Sequence, residues 1–174
     1  DKATRAGILD AIKKMASAAQ QDDLAVLFLA GHGAMVGQRY YFIPHEFQAR
    51  SDSFENDIRN QGVPADELAD ALAEVHATKQ ILILDTCASG SALNVGRTLR
   101  DPVAFRNFVQ RLGQRQGVFT IAAAAAGEDA QEIDELGHGA LTYTLLAALR
   151  AAVLMGKAAG ADVLFVAGLQ AATA

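Results

Sequence analysis

The sequence predicts an α/β fold, a three-layer α/β/α arrangement around a mainly parallel central sheet. Three observations predict it. Apolar runs of strand length alternate along the chain with segments of helical period. The runs at residues 24–30 and 80–84 are nearly continuous in apolar side chains, as strands covered on both faces require. The chain has 174 residues and is 51% hydrophobic, enough for one ordinary domain with a sizeable core.

The elements follow in order. Residues 3–19 set Ile8, Leu9, Ile12, Met15 and Ala19 on one helical face. The apolar run at 24–30 predicts a buried strand that ends at Gly31, His32 and Gly33. A short strand over 40–43 stops at Pro44. Residues 48–62 are polar without periodicity and are expected to form a loop. Pro64 suits the first turn of a helix that carries Leu68, Ala71, Leu72 and Val75 at helical spacing. Residues 80–84 form the strand that leads to the only cysteine, Cys87, in the stretch LDTCASGSA. Asp101 and Pro102 read as a helix cap and first residue, with Phe105, Phe108, Val109 and Leu112 inside. Residues 117–125 read as another buried strand and 128–137 as an acidic loop. Leu141, Leu145, Leu146 and Leu149 mark a further helix, and 162–166 a last strand.

Composition narrows the function. No stretch is long and apolar enough to span a bilayer, and the opening DKATRAGILDAIKKM is a charged amphipathic segment, not a secretory signal. One cysteine excludes an internal disulfide framework and fits a reducing, cytoplasmic compartment. A net charge of −5 disfavours nucleic acid as a partner, and nothing points to a membrane. His45, His76 and His138 lack metal-ligand spacing with Cys87, so no metal site is expected. Ser89 and Ser91 do not stand in a G-x-S-x-G elbow, which disfavours a serine hydrolase.

In a parallel sheet, functional groups gather beyond the carboxyl ends of the strands. His32 and Cys87 are each expected just past such an end, at one edge of the same sheet. An imidazole beside a thiol can take its proton or hold the thiolate as an ion pair, and can later protonate a leaving amine. The tetrahedral oxyanion of acyl transfer needs donors, and the backbone N–H groups of Gly33 and Cys87 are the candidates. Ala88, Ser89, Gly90 and Ser91 leave little bulk around the thiol. The plain alternative is a small buried cysteine and a structural histidine, which are commoner than a dyad.

The pair FLAGHG and LDTCASG, with His32 and Cys87 55 positions apart, resembles the signature of the caspase-like cysteine peptidases. The resemblance is closest to the metacaspase and bacterial orthocaspase branch. Caspases place the histidine roughly 50 residues upstream of the cysteine. The signature maps onto His32, Gly33, Asp85, Cys87 and Gly90. The stretches YYFIP and HGALTYTLLAAL agree with it, and the likeness covers roughly residues 3–150. It implies a caspase-like fold and a bacterial, cytoplasmic hydrolase that cuts peptide bonds, with His32 as base and Cys87 as nucleophile. Gly33 and Cys87 are then the oxyanion donors.

Asp85 stands two residues before Cys87, and on a strand that spacing puts both on one face. A carboxylate there favours Arg or Lys before the scissile bond, as in metacaspases. A capping role in a loop or helix is the other option for Asp85. TIAAAAAG, residues 120–127, resembles the family's substrate-pairing strand. Ala123, Ala124 and Ala125 leave room for an added peptide strand, and no arginine offers an aspartate pocket. Arg97, Arg100, Arg106, Arg111 and Arg115 follow the cysteine. They read as a solvated face, or, at Arg97 and Arg100, as self-cleavage positions. Glu128, Asp129, Glu132, Asp134 and Glu135 read as a solvated loop. No cofactor is required. Some metacaspases need calcium, which these carboxylates could bind, although no EF-hand spacing is present.

The sequence also departs from the family. Its usual first strand and helix are not visible ahead of residue 3, which implies a fragment, a processed product or a divergent member, with other domains of a larger chain as partners. IPHEF replaces the usual Pro-x-Asp, and residues 151–174 match nothing in the family pattern. The rival class is a catalytically inactive caspase-like module used for binding or assembly.

Overall fold

The computed structural model describes residues 3–50, 52–87, 103, 107, 109–110, 117–123, 132–133, 138–159 and 169–170. The chain opens on α1 (Arg5–Ala18), whose first turn is closed by the Thr4 hydroxyl accepting from the Gly7 N–H at 3.0 Å. Ile8 and Ile12, one helical turn apart, are fully buried. Strands β1 (Leu24–Val36) and β2 (Arg39–Ile43) form a hairpin across Gly37 and Gln38. Then come α2 (Phe54–Gln61), the two-residue β3 (Val63–Pro64), α3 (Ala65–Ala73) and β4 (Lys79–Cys87). After these lie β5 (Val118–Ala122), a small ribbon of β6 (Glu132–Ile133) and β7 (His138–Gly139), α4 (Ala140–Ala159) and β8 (Leu169–Gln170).

The class is α/β, and the sheet is mixed. Its path runs β3-β2-β1-β4-β5, with β8 also paired to β1. The β1–β4, β4–β5 and β1–β8 ladders are parallel, while β1–β2 and β2–β3 are antiparallel. Parallel ladders make up most of the pairing, and β2 returns antiparallel to β1 because a two-residue turn can only reverse the chain.

Two apolar clusters sandwich this sheet. On one face Ile8 and Ile12 of α1 and Leu68 and Leu72 of α3 pack on Leu27 and Leu29 of β1 and Leu82 and Leu84 of β4. On the other, Ile58 and Phe54 of α2 pack with Phe47 against Ala34, Val36, Tyr41 and Ile43. Alternate residues of β1 therefore serve opposite cores, as strand alternation requires.

Several expectations change. β1 does not stop at Gly31, His32 and Gly33. It runs on to Val36, because Ala34, Met35 and Val36 are buried and extend the apolar run. β4 likewise includes Asp85, Thr86 and Cys87. Neither His32 nor Cys87 therefore lies beyond a strand end. Residues 48–62 are not all loop: they contain α2. Glu55 and Asp57 occupy its first turn and Arg59 its last, in line with the helix dipole. Phe54 and Ile58 supply an apolar pair too short to register as periodicity. Pro64 precedes α3 as its cap residue and does not enter its first turn. The expected acidic loop holds β6 at Glu132 and Ile133. The expected helix over 101–112 and strand over 162–166 lie largely or wholly outside the described residues. β8, further on, is the strand that pairs with β1.

Candidate functional site

β1 changes partner at His32. From Leu24 to His32 it pairs in parallel with β4, and from His32 to Val36 it pairs antiparallel with β2. The parallel ladder is in strict register, so Ala30 faces Asp85, Gly31 faces Thr86 and His32 faces Cys87. His32 and Cys87 are thus backbone neighbours on adjacent strands, at the last rung of the ladder among the described residues. Adjacent strands lie about 4.8 Å apart. His32 is half-buried.

Asp85 is 8% exposed. Its Oδ2 accepts from the Thr142 N–H at 3.2 Å and from the Thr142 hydroxyl. Thr142 is the third residue of α4, so its N–H is one of the donors that a helix start leaves without an internal partner. Asp85 satisfies it from a strand 57 positions away in sequence, and its negative charge suits the positive end of the helix dipole. The helix-capping option for Asp85 is therefore realised across the fold. Among the described residues no cation pairs with this carboxylate.

Behind these residues, on the face covered by α1 and α3, Tyr40 and Thr86 meet. The Tyr40 hydroxyl and the Thr86 Oγ1 share a hydrogen bond of 2.8 Å, with Tyr40 0% and Thr86 1% exposed. Tyr40 belongs to β2 and Thr86 to β4, with β1 between them. The ring crosses β1 over Gly33. A Cβ at Gly33 would lie 2.6 Å from Tyr40 Cε2 and 2.6 Å from its hydroxyl oxygen. The missing side chain at Gly33 thus admits a tyrosine ring from within the chain.

Of the other expected site residues, Ala123 directly follows β5 and its N–H donates to the Leu84 carbonyl at 2.9 Å. Ala124, Ala125, Arg97 and Arg100 lie outside the described residues, as do Ala88, Ser89, Gly90 and Ser91. Of the acidic run only Glu132 is described, in β6. Among the described residues no group of three or more His, Cys, Asp or Glu side chains could hold a metal ion, and no helix is long and apolar enough to cross a membrane.

Sequence reasoning missed Tyr40, Thr86 and Thr142 as individual residues. One signal was available for the first two. A tyrosine in a strand of otherwise apolar residues must find a partner for its hydroxyl, and alternation turns Thr86 to the opposite face from Asp85. No protein-family model matches the chain, and no curated protein or solved structure matches it either.

Proposed function

We propose that the chain is a cysteine endopeptidase of caspase-like fold that hydrolyses peptide bonds after Arg or Lys. Cys87 is the nucleophile, His32 the base and proton donor, and the N–H groups of Gly33 and Cys87 the oxyanion donors. The observation that carries this reading is the register: His32 and Cys87 are partners on one rung of the β1–β4 ladder. Facing positions on neighbouring strands place a thiol and an imidazole on one rung, which supports a pairing of nucleophile and base.

In the reaction the Cys87 thiol passes its proton to His32 and the thiolate attacks the scissile carbonyl. The oxyanion collapses, the C–N bond breaks, and His32 returns the proton to the departing amine. Water, deprotonated by the same imidazole, then attacks the thioester and releases the acid. Support for basic specificity comes from Asp85, a buried carboxylate with no paired cation among the described residues. A carboxylate taken out of water favours a cationic ligand. The two bonds from Thr142 lower that demand without supplying a positive charge.

Paired fluorogenic peptides ending in Arg or Asp test this, with Cys87→Ala and His32→Ala as controls. Turnover of the Arg peptide that both substitutions abolish is the expected result. No turnover of either peptide by a folded protein refutes the peptidase and leaves a binding module of the same fold. Turnover after Asp alone refutes the role of Asp85. Self-cleavage at Arg97 or Arg100 is read in the same incubation by mass spectrometry, and repeating it with calcium or a chelator tests the metal.

A further inference from the structure

We infer that Tyr40 and Thr86 are positioning residues for the dyad, a clamp that holds β2, β1 and β4 together directly behind His32 and Cys87. This rests on the reading of those two residues as a dyad. Thr86 is the residue before Cys87, and Gly33, which the Tyr40 ring crosses, is the residue after His32. One hydrogen bond of 2.8 Å therefore links the chain on both sides of the candidate pair. It does so at the last rung of the β1–β4 ladder among the described residues. Both partners are fully buried, so water does not compete for the bond. The ring cannot leave without opening the core formed by Ile8, Ile12, Leu29 and Leu68.

A purely structural bond and a positioning bond respond differently when both partners are removed. Tyr40→Phe leaves the buried Thr86 hydroxyl without this bond, and Thr86→Val breaks the same bond from the other side, so either change lowers stability. The double variant removes both hydroxyls and recovers much of that loss. Positioning is not recovered, because the tie across β1 is still missing.

The experiment measures three quantities on the full chain for wild type, Tyr40→Phe, Thr86→Val, the double variant and Thr86→Ser. They are Tm, the kcat and KM for an Arg peptide, and the rate at which iodoacetamide alkylates the single cysteine at neutral pH. The double variant is expected to regain Tm but to keep kcat and alkylation about tenfold below wild type, with KM unchanged. That is the effect of roughly half an ångström where 1 Å costs about a hundredfold. Thr86→Ser, which keeps the hydroxyl, is expected to stay near wild type. If kcat and alkylation return with Tm in the double variant, the clamp is only structural and the inference is overturned. Should the single variants fail to fold, the double variant and Thr86→Ser still decide the matter. His32→Ala separates the two levels. If it leaves alkylation at the wild-type rate, the dyad itself is refuted and the clamp has nothing to position. If it slows alkylation while the double variant does not, the dyad stands and the clamp falls.

Discussion

Gly33→Ala is the sharpest probe of how the sheet is built behind His32. The added methyl would lie 2.6 Å from Tyr40 Cε2, 2.6 Å from its hydroxyl oxygen and 2.9 Å from Cζ. Ordinary contact begins near 3.5 Å, so the ring must shift by most of an ångström. It has little room to do so, since Tyr40 is fully buried among Ile8, Leu29, Phe42 and Leu82. Forcing one methyl into such packing costs about 1–3 kcal/mol. A displaced ring also loses its bond to Thr86, whose buried hydroxyl then goes unsatisfied, at about 1–3 kcal/mol. Because the two costs share one movement, about 2–4 kcal/mol is expected in total. For a domain of this size that lowers Tm by roughly 4–16 °C. Urea unfolding of Gly33→Ala against wild type measures it. A double-mutant cycle isolates the cause: in a Tyr40→Ala background, Gly33→Ala should cost almost nothing. A Gly33→Ala protein as stable as wild type, or one equally destabilised in both backgrounds, would show that the ring over Gly33 is not what excludes a side chain there.

Asp85→Asn keeps one acceptor for Thr142 but loses the charge that strengthens both bonds, and should cost about 1–2 kcal/mol in urea unfolding. If the proposed preference for Arg over Asp peptides is the same in this variant as in wild type, Asp85 caps α4 and does nothing more. Gly117→Ala should cost at least about 2 kcal/mol. Its φ of +84° suits glycine, and a Cβ would lie 2.2 Å from the Thr78 carbonyl oxygen, a backbone atom that cannot rotate aside. A shift of less than about 0.5 kcal/mol there would mean that the turn into β5 adapts freely.

Much of the architecture was legible from neighbours along the chain. Ile8, Ile12 and Met15 recur at the helical period, and α1 buries that face. The runs at 24–30 and 81–84 are apolar at nearly every position, and both became central strands, paired residue for residue. α2 was not legible, because Phe54 and Ile58 are its only large apolar residues. Its helical state depends on a core supplied by β1 and β2.

Local pattern determined α1, α3 and the two central strands, but not α2, the run of β1 past His32 or β6. Periodicity is a property of residues a few positions apart, so the amino-acid sequence carries it directly. Only the tertiary structure decided that His32 pairs with Cys87 itself, that Asp85 reaches Thr142, and that Tyr40 crosses Gly33 to Thr86. Those meetings join residues 46 to 57 positions apart. They are set by strand register, which the packing of both faces chooses at once, and a shift of one residue would turn every side chain of β4 to the wrong core.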